Sequence, residues 1–495
     1  MLKRVFTAPD PGRVRLRFAA RAVLGIGLAV AVCGAAGHSL TGAVTGGLAA
    51  LLALFTVTDP TVRGQAVTTA LLPVVGLPVL TAAAWLHGVP VARDLVFLAV
   101  VGAGVYARRW GPRGHSLGVF AFMTYFVAQF LHATPGQLPE LSAAVLLSVS
   151  GAALVRFGLW CYERGLPPAP VPAPPAGSGL ARVTTRQAVQ ATAGAGFALV
   201  AGQLVSGQRW YWAVGATWWI FVNTASRGET LVRGFRRVLG TVIGIALGLL
   251  VAAPVHGAPV PTAVLVAAAV FGIFYTAAVS YTWMMLWVTF LAELLYGLLG
   301  VLTPDLLALR LAETAVGALG AVLAVLFVLP VTTHLTTDAW IRRALRCVHA
   351  CTTEATARLA GSTTADPALR VAELEQLLGR VRLSVAPLVH PLAPTPGRKR
   401  RARRVLALLD DCAREVRGLV AVAADPEASH DARLAAACWR VEAAVEALTR
   451  GSEHITAPAE PPTEPALAHL HGLERALAEL ADPLRPTARP RLAGA

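Results

Sequence analysis

The stretch "WYWAVGATWWIFVNTASRGETLVRGFRRVLGTVIG", Trp210 to Gly244, places four tryptophans in one apolar helix, ends it in a polar turn and restarts as a basic segment that runs into glycine-spaced apolar sequence. Indoles beside arginines mark either a membrane interface or the wall of a path for something aromatic and anionic. The rest of the chain decides the class. Its 495 residues are 55% hydrophobic and only 14% charged, and the apolar residues come in blocks long enough to cross a bilayer rather than at one-face helical spacing. The chain therefore reads as an all-α polytopic membrane protein.

Walking outward with a window of about 19 residues, candidate spans fall near 18–37, 40–57, 66–87, 92–107, 115–132 and 139–160, then near 187–205, 210–225, 237–253, 260–279, 282–300 and 309–329. The first is preceded by Lys3, Arg4, Arg13, Arg15 and Arg17, as in a signal sequence. Its apolar stretch is longer than a signal core and other spans follow at once, so it is read as an uncleaved helix. With the N-terminus in the cytoplasm, basic residues divide seventeen inside to three outside (Arg93, Arg209 and Arg310). That imbalance is a strong positive-inside signal. It also accounts for the net charge of +15 without nucleic acid, because nearly all basic residues are Arg and most sit in short loops. The location expected is the plasma (inner) membrane, multi-pass, with both termini cytoplasmic.

The strip "GLPPAPVPAPPAGSG", Gly165 to Gly179, is too rich in proline for a helix and lacks apolar bulk, so it reads as a cytoplasmic linker. It separates six spans from six. Both halves start and end inside, which makes them parallel repeats with room for a pathway between them. The resulting layout is an N-terminal transmembrane repeat at 1–164, the linker at 165–182, a second repeat at 183–332, a cytoplasmic helical domain at 333–482 and a disordered tail at 483–495. In the cytoplasmic part, Leu374, Leu377, Leu378, Val381 and Val385 keep a helical apolar spacing, and about five helices are expected. The run "RKRRARR", Arg398 to Arg404, offers six positive charges to lipid headgroups or to solvent.

A tryptophan-bearing helix, a polar turn and an arginine-rich restart passing into "RVLGTVIGIALGLL", Arg237 to Leu250, resemble the fusaric acid resistance protein-like family. The best-matching segment is about Trp210 to Val328, and "VYARRWGPRGHSLGVFAFMTYF", Val105 to Phe126, is similar to the family's first-half region. The resemblance implies an inner-membrane efflux protein with duplicated helical halves and cytoplasmic helical portions, in a family that includes aromatic carboxylic acid exporters.

Several side chains suit such a cargo. Trp210, Tyr211 and Trp212, at the outer end of helix eight, read as an aromatic belt. Trp218 and Trp219 lie deeper and point roughly 100° apart, so one is expected to pack and the other to stack on a ring. Asn223 and Arg227 mark the inner mouth. Arg236 and Arg237 open a helix whose next face is Gly240, Gly244 and Gly248, a spacing that lets another helix approach while the guanidinium groups offer paired donors to a carboxylate. Glu293 sits among apolar residues with no loop near it, so it must be protonated or paired. It is the candidate proton-coupling residue, with Arg310 and Glu313 on one face of helix twelve as neighbours. Gln129 and His132 read as an exposed outer cap.

No phosphate loop, dinucleotide fingerprint, zinc helix or nucleophile elbow is present, so the chain does not read as an enzyme, and no cofactor is expected. Cys347 and Cys351 stand one helical turn apart but lack the further ligands of a zinc site, and read as buried thiols. The leading reading is a proton-coupled secondary exporter of small organic, aromatic carboxylic acids. An anion-channel-like pore and a membrane scaffold with a partner-binding helical domain compete with it. The partners expected are the organic acid, the lipid bilayer and further copies of the chain in a homo-oligomer.

Overall fold

The computed structural model describes residues 13–158, 179, 182–222, 224, 227–255, 258–329, 333–362, 364–389, 396–424, 432–450 and 464–484. Most of the proline-rich strip, Asn223 and residues 485–495 lie outside them. No strand occurs among the described residues. One compact unit takes in residues 1–168 and 174–331, and a second takes in 169–173 and 332–495.

The first unit holds α1 (Val14–Ala35), α2 (Leu40–Thr56), α3 (Val62–Trp85), α4 (Pro90–Tyr106), α5 (Gly111–Phe130) and α6 (Leu138–Gly158). It continues with α7 (Val183–Val205), α8 (Tyr211–Phe221), α9 (Arg227–Leu247), α10 (Pro259–Ala277), α11 (Tyr281–Leu298) and α12 (Pro304–Phe327). Starts follow ordinary chemistry. Ser39, Thr61 and Thr303 cap α2, α3 and α12 through their hydroxyls, and Pro90, Pro259 and Pro304 sit in first turns, where a missing N–H is harmless.

Among the described residues, nine helical stretches are long and apolar enough to cross a membrane. One of them, Pro90–Phe130, joins α4 to α5, and α2 is a shorter apolar helix. Leu24, Val74, Leu154, Leu204 and Phe327 project outward with most of their surface uncovered. In water such faces would aggregate; lipid tails are their solvent. The protein is a multi-pass membrane protein.

Helix pairing recurs along the chain. In the first six helices α1 packs on α2 and α6, α2 on α6, α3 on α5 and α6, and α4 on α5. In the next six, α7 packs on α8 and α12, α8 on α12, α9 on α11 and α12, and α10 on α11. Three further contacts tie the sets together: α4 packs on α7 and α10 on α1, a reciprocal pair, and α5 packs on α8.

The second unit comprises α13 (Thr333–Leu359), α14 (Pro367–Val389), α15 (Pro396–Ala423), α16 (Ala432–Arg450) and α17 (Pro465–Leu484). Leu374, Leu377, Leu378, Val381 and Val385 are all buried in its core, as are Cys347 and Cys351. α17 continues to Leu484, two residues past the point where the sequence reading ends the helical domain.

A buried arginine shows how the ends of the membrane helices are satisfied. Arg156, in the last turn of α6, donates to the carbonyls of Ala53 (2.8 Å), Leu54 (3.1 Å) and Val57 (2.9 Å), which α2 leaves without intrahelical partners. Charged hydrogen bonds of this kind contribute about 1.5–3 kcal/mol each. Arg156→Ala is therefore expected to lower the melting temperature of the purified protein by many degrees, whereas Arg227→Ala, at an exposed position, should change stability by no more than about 0.5 kcal/mol.

Candidate substrate pathway

The tryptophan helix α8 has eleven residues, and at 1.5 Å per residue it covers only about half of a ~30 Å hydrocarbon core. Both of its ends therefore lie among protein side chains, which neutralise them. Arg108 donates to the carbonyls of Phe221 (3.3 Å) and Thr224 (3.4 Å), and Arg233 and the Tyr281 hydroxyl each donate to that of Trp219 at 3.2 Å. At the other end the carboxylate of Glu313 is wholly buried. Neither of its oxygens has a hydrogen-bond partner, and the Ala213 amide of α8 is a backbone donor that bears on it. Gly202 leaves it room, since a Cβ there would lie 2.9 Å from Oε2. The arginines at the carbonyl end oppose the negative pole of the helix dipole, and the Glu313 carboxyl stands near the amide end.

The aromatic belt read from the sequence is corrected by packing. Trp210 and Tyr211 are buried inside the protein, the first edge-on to Phe97 at 5.8 Å and the second edge-on to Phe126 at 5.5 Å. Trp218 is buried against Phe122, with ring centroids 4.5 Å apart. Trp212 and Trp219 share another face and line a cavity of about 120 Å³. Seven residues make almost two full turns, so these two indoles fall on one side of α8 while Trp218 turns away.

Helices α2, α5, α8, α9, α10 and α11 all contribute to this cavity. Leu48, Phe55, Phe126, Phe130, Met284 and Leu291 supply much of an almost wholly apolar wall, in which Arg237 is the only charged residue among the described ones. Arg237 is 5% exposed; its Nη1 lies 2.6 Å from the Met285 sulfur and its Nε has no partner. The indole N–H of Trp212 is also unpartnered. A guanidinium facing a thioether in apolar surroundings keeps unused donor capacity and an uncompensated charge.

The glycine face expected on α9 does bring a helix close. A Cβ at Gly240 would meet the Thr282 carbonyl at 2.6 Å, and one at Gly244 would meet the Thr289 Cβ at 2.6 Å. At Gly248 it would fall 1.2 Å from Oε2 of Glu293. There α9 widens into a π-helical turn, Gly248–Ala252, a local expansion that often accompanies functional groups. Glu293 has no exposed surface and neither oxygen has a hydrogen-bond partner. Arg310 is the cation whose charge reaches it, without a direct ion pair. Counted with the outer loops on sequence, Arg310 is instead 3% exposed inside α12, with its guanidinium 4.1 Å above the Trp212 ring.

Of the site residues expected from sequence, Trp219 and Arg237 meet at the cavity. Trp218 packs behind it, Arg236 is half-buried and outside the lining, and Arg227 is exposed. Asn223 lies outside the described residues. Glu293 stands on α11 beside two lining residues, Leu291 and Ala292, without lining the cavity itself. Gln129, read as an exposed cap, is buried. Trp212 and Met285 were missed, although the i, i+7 spacing of Trp212 and Trp219 carried the signal.

Residues 197–345 match the family model described as fusaric acid resistance protein-like. The fusaric acid resistance-like segment contains α8, α9 with its π turn, Arg237, Glu293 and Arg310. The matched residues include the elements that build the cavity's second side. No curated protein and no solved structure matches the chain.

Because Gly248 and Glu293 occupy adjoining space, Gly248→Ala should destabilise the protein by at least about 2 kcal/mol, as overpacked sites do. Glu293→Ala in the same chain should restore most of that loss. A double-mutant cycle on detergent-phase melting reads the coupling, and additive effects would contradict the contact.

Proposed function

We propose that the protein is a secondary exporter of small aromatic carboxylic acids in the plasma (inner) membrane, and that the cavity walled by Trp212, Trp219 and Arg237 holds the cargo. The observation that carries this reading is the guanidinium of Arg237, which meets a thioether and has no partner at Nε, in an otherwise apolar, ring-sized space. An apolar cavity of about 150 Å³ admits benzene, and this one is close to that size at about 120 Å³. A carboxylate supplies the counter-charge that Arg237 lacks and uses its planar donors, while the indoles take the ring. A cationic cargo would be repelled and an aliphatic acid would forgo the ring contacts.

The twelve helices are taken to cross the membrane as two parallel repeats. Supporting this are the recurrence of the pairing scheme, the reciprocal α4–α7 and α10–α1 contacts and the placing of the cavity between the two sets. The seventeen-to-three distribution of basic residues supports cytoplasmic termini. Since the sequence has no nucleotide-binding motif, transport draws on an ion gradient, with Glu293 as the candidate proton carrier.

Uptake of labelled benzoate into inside-out vesicles tests the reading, with wild type compared to Arg237→Gln and with and without an imposed proton gradient. Accumulation that depends on the gradient and falls ten- to a hundredfold in the variant is expected, the loss of a charge-assisted pair being about 1.5–3 kcal/mol. Flux that ignores the gradient favours a pore. Absence of flux for a panel of aromatic acids contradicts the proposal and leaves the scaffold reading.

A further inference from the structure

The second unit distributes its charges unevenly. Arg370, Arg382, Arg414, Arg417, Arg433 and Arg440 each meet a carboxylate. At the start of α15 that pattern breaks. Within "RKRRARR", Arg398 to Arg404, Ala402 is buried in the core with Val405, and Arg401 turns back to donate to the Pro483 carbonyl of α17. Lys399, Arg400, Arg403 and Arg404 are left on the outward side. Lys399 is half-buried and the three arginines are exposed, and none of the four makes an ion pair or hydrogen bond among the described residues.

Nothing local favours this arrangement. Lys399 and Arg403, like Arg400 and Arg404, are spaced i and i+4, where equal charges repel. They occupy the opening turns of a helix, whose free N–H groups already form a positive pole, and no acidic residue stands in the first turn to offset it. Glu479 and Asp482, exposed carboxylates late in α17, form no ion pair with them. Four uncompensated cations on one face favour an anion supplied from outside the unit.

Their place in the unit indicates which anion. The Thr337 hydroxyl donates to the Ser384 carbonyl at 3.5 Å, so the start of α13 lies beside the end of α14. Six residues, 390–395, lead from there to α15, which packs on α14. The basic face therefore belongs to the end of the bundle at which α13 begins. In the sequence five residues, 328–332, separate α13 from α12, a helix long and apolar enough to cross the membrane. The chain thus enters this unit at its basic end, directly from a membrane helix. A tethered face meets bilayer headgroups at a higher effective concentration than it meets a free polyanion.

We propose that Lys399, Arg400, Arg403 and Arg404 form a docking face for anionic phospholipid headgroups, which holds the second unit on the membrane surface. This inference is independent of the cargo reading. The planar guanidinium groups offer paired donors to phosphodiester oxygens, and the Lys399 ammonium adds a point charge. Each basic residue near an anionic surface strengthens binding about fivefold.

The chain supplies its own probe, because Lys3 and Lys399 are its only lysines. The full chain is reconstituted in nanodiscs of phosphatidylcholine alone or of an equal mixture with phosphatidylglycerol, and acylation of Lys399 by an amine-reactive ester is followed by peptide mass spectrometry. Lys399 should react at least tenfold more slowly in the mixture. The phosphatidylcholine rate should return at about 1 M salt, where the screening length falls to about 3 Å. It should return also in the variant Arg400→Gln/Arg403→Gln/Arg404→Gln, whose melting temperature should not fall because the replaced side chains are exposed. Arg414→Gln/Arg417→Gln, which removes charge elsewhere on α15, should keep the protection. If the triple variant melts lower than wild type, the lipid and salt comparisons on wild type decide. Equal rates in the two lipids, or protection that survives salt or the triple replacement, overturns the inference. Protection in phosphatidylcholine alone overturns it in favour of a protein surface, and protection by an added DNA duplex but not by phosphatidylglycerol overturns it in favour of nucleic acid.

Discussion

A helix too short to reach water at both ends has to find its terminal partners inside the protein, and α8 is such a helix. Its eleven residues carry carbonyl ends that receive Arg108 and Arg233, and an amide end faced by Glu313. The same solution appears at α2, where the Ser39 amide donates to Glu140 at 2.7 Å at the start and Arg156 covers the end. The carboxylates come from α6 and α12, the sixth helix of each set. At α8 these side chains and helix termini meet in a low-dielectric interior, whereas the Ser39–Glu140 bond that starts α2 is exposed. Both short helices contribute to the wall of the cavity.

Within that frame the uncompensated charge is what matters for function. Buried Arg156 and half-buried Arg108 donate to backbone carbonyls and to the amide oxygens of Gln65 and Gln187, so their placing is structural. Arg237 spends one donor on a thioether and leaves Nε unused, so its burial lacks a structural explanation of that kind. The apolar wall around it makes an unsatisfied cation expensive, and in the proposed function a cargo carboxylate is the missing partner. Arg310 differs again, since aromatic faces hold it at an intermediate cost. Three kinds of buried arginine thus separate by what their N–H groups touch.

Much of the fold was legible in the chain. Hydropathy located the apolar helices, because each must hide its backbone from lipid and so must be long and apolar, and the four-residue glycine spacing on α9 announced its close contact with α11. Arg237 was also visible, as a charge at the start of that glycine face. What hydropathy reports is depth, not the direction a side chain faces. Trp210 and Tyr211 were therefore read as interface anchors although they point into the protein, and Arg310, placed on helix twelve and counted with the outer side, gave no sign that it lies under Trp212. The partners that turn those side chains inward, Phe97 and Phe126, come from helices distant in sequence. No local pattern reveals such pairings.

The most direct test of the central claim is to locate a heavy-atom cargo. A structure of the protein with 4-iodobenzoate, with the iodine placed by its anomalous signal, should show the halogenated ring between Trp212 and Trp219 and the carboxylate at Arg237 within about 3 Å, as charge-assisted hydrogen bonds require. Iodine bound only on the lipid-facing surface, with the cavity empty and Arg237 still against Met285, would contradict the account.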